Sequence, residues 1–263
     1  MTFRNAAKLT VAAAATAFAA LTVSSAAFAQ DATPAPPPAA QPAQAPAAPP
    51  AAPADTGPKI AWNFGGATDY IFRGVSQTNE RAEAFAGVDI TYNMFYVGSW
   101  TSNVDFENFG DSHTSQEVDL YGGIRPTLGP LSLDAGIYYY GYLGQSKSLP
   151  KVDYWEFYAK GTHAFGPVTL GASVFYSPQF TGHTGHAWYY EGNAAYTVNS
   201  KWSVSGAVGR QTIQFGTDYT TWNAGVTFSP TSNISLDLRY WDTNVNNIDA
   251  YKGRVVLLAK ATF

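Results

Sequence analysis

From Lys59 onward, hydrophobic and polar positions alternate with a period of two, the mark of strands whose two faces meet different surroundings. In the opening segment Ile60, Trp62, Phe64, Gly66, Thr68, Tyr70 and Phe72 share one face. Ala61, Asn63, Gly65, Ala67, Asp69, Ile71 and Arg73 share the other. One strand is therefore predicted to run through Arg73, with Tyr70 and Phe72 on the apolar side. The pattern recurs down the chain. Ala84, Ala86, Val88 and Ile90 oppose Glu83 and Asp89, and Val118, Leu120 and Ile124 oppose Glu117, Asp119, Tyr121 and Arg125. Leu133, Ala135 and Ile137 oppose Asp134, Tyr138 and Tyr140, and Trp155, Phe157 and Ala159 oppose Glu156, Tyr158 and Lys160. Further on, Trp188 and Tyr190 oppose Glu191, Leu236 and Leu238 oppose Asp237 and Arg239, and Val255 and Leu257 oppose Arg254 and Lys260. Only the segment from Phe95 to Asn103 is ambiguous, with aromatic residues on both of its faces.

About twelve strands result, and every proline after Pro58 falls at a strand end or between strands, as a sheet requires. The connections alternate in length. Those after even strands are tight, as in "NM" and "FGP", and those after odd strands are longer and polar, as in "DFENFGDSHTSQ" and "SPQFTGHTGH". Short turns at one end and long loops at the other mark an antiparallel up-and-down barrel of the outer-membrane type. A soluble barrel with its apolar face inward shows the same alternation. Three features weigh for the membrane: aromatic residues such as Trp62, Tyr70, Phe72, Trp155, Trp188 and Trp202 near strand ends, apolar segments long enough for a tilted strand to span, and a last strand ending on Phe263. The expected fold is all-β, a transmembrane β-barrel over residues 59–263, placed in the outer membrane of a Gram-negative bacterium and surrounded by its lipid.

Composition fixes the rest of the layout. Residues 1–29 read as a signal peptide: Arg4 and Lys8, an Ala-rich apolar run, and Ala27-Phe28-Ala29, with cleavage between Ala29 and Gln30. Residues 30–58 hold ten of the sixteen prolines with alanine as their main companion, a disordered tether extending to roughly 90 Å. An even strand count places that tether on the periplasmic side, where it has the reach for periplasmic or cell-wall contact. Cysteine is absent, which excludes disulfides and thiol chemistry. No run of about 20 apolar residues follows the leader, which excludes a helical membrane protein. With a net charge of −4 and no basic cluster, nucleic acid is not an expected partner.

Candidate chemistry lies on the polar face. Asp69, Glu83, Asp89, Glu117, Asp119, Asp134, Glu156, Glu191 and Asp237 share it with Arg73, Arg125, Lys160, Arg239, Arg254 and Lys260. In a membrane barrel these residues line the pore and give a mixed, slightly acidic interior suited to small hydrophilic solutes. They could equally pair off and fill the barrel, since eight-stranded barrels are filled and sixteen-stranded ones are open. Glu117 and Asp119, two apart, form either an acid/base pair or part of a charge lattice with Arg73, Arg125 or Arg254. His183 and His186 read as a solvated loop or half of a metal site lacking a third ligand. No catalytic motif, cofactor loop or complete metal set is present in the sequence.

"TDYIFRGVSQT", "GSWTSNVDF", "EVDLYGGI" and "LDAGIYYYGYLG" resemble the TorF porin family, over about residues 60 to 263. The resemblance implies a proteobacterial outer-membrane barrel with a porin role, and a last strand read by the barrel-assembly machinery. The expected function is passive diffusion of small hydrophilic solutes or ions through a charge-lined lumen. A closed barrel that binds a partner through its outer loops stands second, and an outer-membrane enzyme third.

Overall fold

A computed structural model describes residues 57–263. The leader with its Ala29–Gln30 junction, and the tether up to Thr56, lie outside the described residues. Twelve long strands follow one another: β1 Lys59–Ala67, β2 Glu83–Tyr92, β3 Phe95–Asn103, β4 Gln116–Ile124, β5 Leu131–Leu143 and β6 Tyr154–Phe165. Then come β7 Val168–Ser177, β8 Ala187–Thr197, β9 Trp202–Ile213, β10 Tyr219–Phe228, β11 Ile234–Thr243 and β12 Arg254–Thr262. Each pairs antiparallel with its sequence neighbours, and β1 pairs with β12, from Asn63↔Thr262 to Ala67↔Leu258. The result is a closed antiparallel twelve-stranded barrel. Closure satisfies every wall strand on both sides and removes the edges on which an open sheet aggregates.

The barrel is inside-out relative to a soluble protein. Trp62 is 58% exposed on the outer surface, and Ile60, Phe64, Ile90, Leu120, Trp155, Phe157, Val208, Leu238 and Val255 are exposed with it. Glu83, Glu117, Asp119, Glu156, Asp237 and Arg239 are buried inside. Such an apolar outer surface is stable only against lipid. Aromatic contacts gather at both rims of that surface: Trp202 on Phe228 at 4.5 Å and Phe64 on Phe263 at 5.8 Å near the short turns, Tyr176 on Trp188 at 4.5 Å and Tyr139 on Trp155 at 4.7 Å near the long loops. Phe263 also closes the seam, its N–H donating to Trp62 and its carbonyl accepting from Trp62, both at 2.8 Å.

β3 resolves the ambiguous segment. Tyr96 and Trp100 are buried inside, while Phe95 and Val97 face out. Aromatic rings inside lie flat across glycines on the facing strand. Gly98 sits opposite Tyr121, Gly136 opposite Tyr158, and Gly87 opposite Trp100. A methyl group at any of these three positions would run into the ring.

The first strand departs from expectation. β1 leaves the wall at Ala67, where Thr68 exchanges bonds with Leu257. The chain then folds inward, so Tyr70 and Phe72, expected at the lipid interface, are each 1% exposed inside the barrel. Ile71–Phe72 pairs with Val75–Ser76 as a miniature hairpin. The turn between them places Arg73 at φ 45° and Gly74 at φ 83°, the all-positive geometry of the tightest hairpin turns. A chain that doubles back on itself cannot continue as wall, whatever its alternation.

Candidate functional site

The inward hairpin, within the loop 68–82, crosses the lumen from one side to the other. On one side the Tyr70 hydroxyl donates to Glu117 of β4 at 3.4 Å, and its ring meets Trp100 of β3 at 5.5 Å. On the far side Arg73 reaches β6 and β9. Its Nη1 and Nη2 donate to the two carboxylate oxygens of Glu156 at 3.1 and 2.9 Å, and Nη1 also donates to the Gln211 amide oxygen at 2.8 Å. Its guanidinium carbon lies 4.3 Å from the Tyr189 ring centre, 4.5 Å from Phe72 and 4.9 Å from Phe175. Gly74 abuts Thr221 of β10 and Thr243 of β11 with no room for a side-chain carbon. With the contact of Asp69 to Arg254 on β12, one loop touches nine of the twelve strands and forms a plug.

The hairpin is held by its own polar residues. Asp69 accepts from the Ser76 hydroxyl at 2.7 Å, from Thr78 at 2.9 Å and from Arg254 of β12 at 2.9 Å. Gln77 N–H returns to the Tyr70 carbonyl at 2.7 Å, and the Gln77 carbonyl accepts from Asp105 N–H at 2.8 Å, tying the plug to the next long loop. Residues from the remaining loops close over it, with Phe106 on Tyr142 at 5.5 Å, Phe180 on Tyr154 at 5.1 Å and Tyr251 on Tyr219 at 5.3 Å.

Further charges lie toward the short turns. Asp134, Lys160, Ser173 and Glu191 stand directly across from one another on β5 to β8 and are only half-buried. Asp134 accepts from Tyr96 at 2.7 Å and from Arg125 at 3.2 Å. Tyr121 donates to Asp89 at 3.0 Å, with Lys260 in electrostatic reach of that carboxylate. Arg239 binds Asp237 through Nε and Nη2 at 3.0 Å each, and reaches Asn223 at 2.7 Å and Ser205 at 2.8 Å.

Of the charges expected inside, Glu83, Glu117, Asp119, Glu156, Asp237 and Arg239 are buried, Asp89, Asp134, Lys160, Glu191, Arg254 and Lys260 are half-buried, Asp69 and Arg73 lie in the plug, and Arg125 is exposed just past the end of β4. Arg73 pairs with Glu156, Arg254 with Asp69 and Arg125 with Asp134. Glu117 and Asp119 sit fully buried beside the plug. Gln211, Phe175 and Tyr189, which complete the Arg73 site, carry no charge and drew no attention in the sequence. His183 and His186 are exposed in the loop 178–186, and no group of three or more His, Cys, Asp or Glu among the described residues could hold a metal ion.

A closed twelve-stranded barrel with an apolar exterior and a charged interior defines an outer-membrane porin-like fold. Residues 51–263 match the family described as "Bacterial protein of unknown function (Gcw_chp)", and the chain belongs to that family. The family description carries neither the TorF name nor a function. Among solved structures, the KdgM porin aligns with a TM-score of 0.54 at 11% identity, over 77% of this chain and 99% of that one. KdgM porin in complex with disordered oligogalacturonate aligns at 0.52 and 10% identity, over 78% and 98%. The NanC porin aligns at 0.51 and 10% identity, over 78% and 99%. At these identities the likeness is one of fold. No curated protein matches the chain.

Proposed function

We propose that the protein is an outer-membrane channel for passive diffusion of small hydrophilic solutes or ions, closed in this conformation by the loop 68–82. The observation that carries the reading is the belt of Asp134, Lys160 and Glu191, charged side chains that stay half-buried on neighbouring strands instead of being packed away. A barrel that served only as a scaffold would be expected to pack that level with apolar side chains, as the plugged level is packed with rings. In this orientation the long loops face outward, the short turns face the periplasm, and the Pro/Ala segment 30–58 hangs below as a tether. The strand ending in Phe263 is the segment offered to the assembly machinery.

A second reading, a closed barrel that engages a partner through its outer loops, draws on the plug's contacts with nine strands. Planar-bilayer recording of the purified barrel separates the two. Stepwise current from the parent, or from a variant with 69–78 replaced by a short Gly/Ser link, supports a channel. Current at the bare-bilayer level from both proteins would sink it and leave the closed barrel.

A further inference from the structure

The plug's arginine sits in a site that the wall builds without it. Phe175, Tyr189 and Gln211 stand directly across from one another on β7, β8 and β9, and Glu156 lies beside them on β6. Four consecutive strands therefore converge two carboxylate oxygens, one amide oxygen and two aromatic rings on a single point. The Tyr140 hydroxyl donates to Glu156 at 3.2 Å and fixes the carboxylate from behind. In-plane acceptors with rings over the faces match a planar cation that has donors around its edge, which describes guanidinium. An ammonium would use the carboxylate only as a point charge and leave the fork unmatched. Only Phe72 and Arg73 come from the loop.

We infer that this wall site is a recognition site for small guanidinium compounds, and that Arg73 occupies it as a tethered substitute for a soluble ligand. A guanidinium solute that reaches the lumen competes with Arg73 for Glu156, and its binding favours the released plug. Arg73 is held at φ 45°, a backbone region disfavoured for residues other than glycine, so release also relieves the turn. The inference goes beyond conduction. Binding is measured on the folded barrel in detergent, so it stands or falls separately from the channel reading.

The test removes the tethered group and supplies a free one. Arg73→Gly suits the positive φ and empties the site while leaving the wall unchanged. Guanidinium has few heavy atoms, which caps its affinity at roughly tens of micromolar, so the test uses about 10 mM, well above that limit. With guanidinium chloride at that level, the unfolding midpoint of R73G should rise above its value in matched sodium chloride, as ligand linkage requires. The parent, its site already filled, should show no such gain, and neither should R73G/E156Q. If R73G does not fold in sodium, the readout becomes the yield of folded barrel on refolding in each salt, with guanidinium giving the higher yield. Equal behaviour of R73G in the two salts, or a guanidinium gain that survives E156Q, would overturn the inference.

Discussion

Glu156→Gln keeps the shape of the side chain but removes the charge that faces Arg73. Both partners are buried, with side-chain exposures of 1% and 2%, and the fork is bidentate at 3.1 and 2.9 Å. Charge centres about 4 Å apart at an effective dielectric near 20 attract by about 4 kcal/mol. Breaking a buried pair by removing one partner costs about 3–5 kcal/mol, because the other charge is left without compensation. Arg73→Met should cost a similar amount and also forfeits the stacking on Tyr189 and Phe175. The double variant leaves no orphaned charge, so its loss should fall well short of the sum, with a coupling of about 2–3 kcal/mol. Denaturant unfolding of the four proteins in lipid vesicles, followed by tryptophan fluorescence, measures the cycle. Single losses below about 1 kcal/mol, or losses that simply add, would refute the claim that this pair anchors the plug.

Three further outcomes follow from the same geometry. Gly74→Val forces a branched side chain into Thr221 and Thr243 at φ 83° and should cost about 2–5 kcal/mol in the same unfolding assay, whereas Gly129→Val, in open space at a short turn, should cost less. The chain has no cysteine, so single cysteines report access cleanly: Gln77→Cys, at a fully buried position, should resist a membrane-impermeant maleimide, while Phe215→Cys on an exposed loop should label quickly. Burial alone would raise the Asp111 pKa, but hydrogen bonds from the Thr114 hydroxyl and from the His113 and Thr114 N–H groups outweigh it and hold the pKa below the ordinary aspartate range. A lowered native pKa means its contribution is complete above the unfolded value near 4 and is lost as pH falls through the native one. Amide protection factors in the loop 104–115, with the intrinsic pH dependence of exchange divided out, should therefore fall below about pH 4 in the parent and stay level over that range in Asp111→Asn.

The wall was legible because alternation is a direct record of two solvents. Glu117, Asp119 and Glu156 face in, and Leu120, Trp155 and Phe157 face out, as their spacing requires. Alternation does not report whether a segment stays in the wall. Tyr70 and Phe72 keep the period, yet their apolar side meets the aromatic interior around Trp100 and Phe175 instead of lipid. The signal that the chain doubles back was the pair Arg73-Gly74, a two-residue turn set inside an otherwise strand-like run. β3 was ambiguous for a related reason: Tyr96 and Trp100 look into a ring-filled interior while Phe95 and Val97 look into lipid, so both faces are apolar. The pairing of Arg73 with Glu156 across 83 positions, and with the uncharged Gln211, leaves no local pattern. It exists only once the barrel has closed.

The central claim is that the loop 68–82 closes a lumen that is otherwise continuous. Single-channel conductance of the parent and of the variant with 69–78 replaced by a short Gly/Ser link, recorded under the same salt, tests it most directly. The account predicts a larger and steadier current step from the shortened loop than from the parent. Folded, membrane-inserted proteins that give the same step with and without the plug would contradict it.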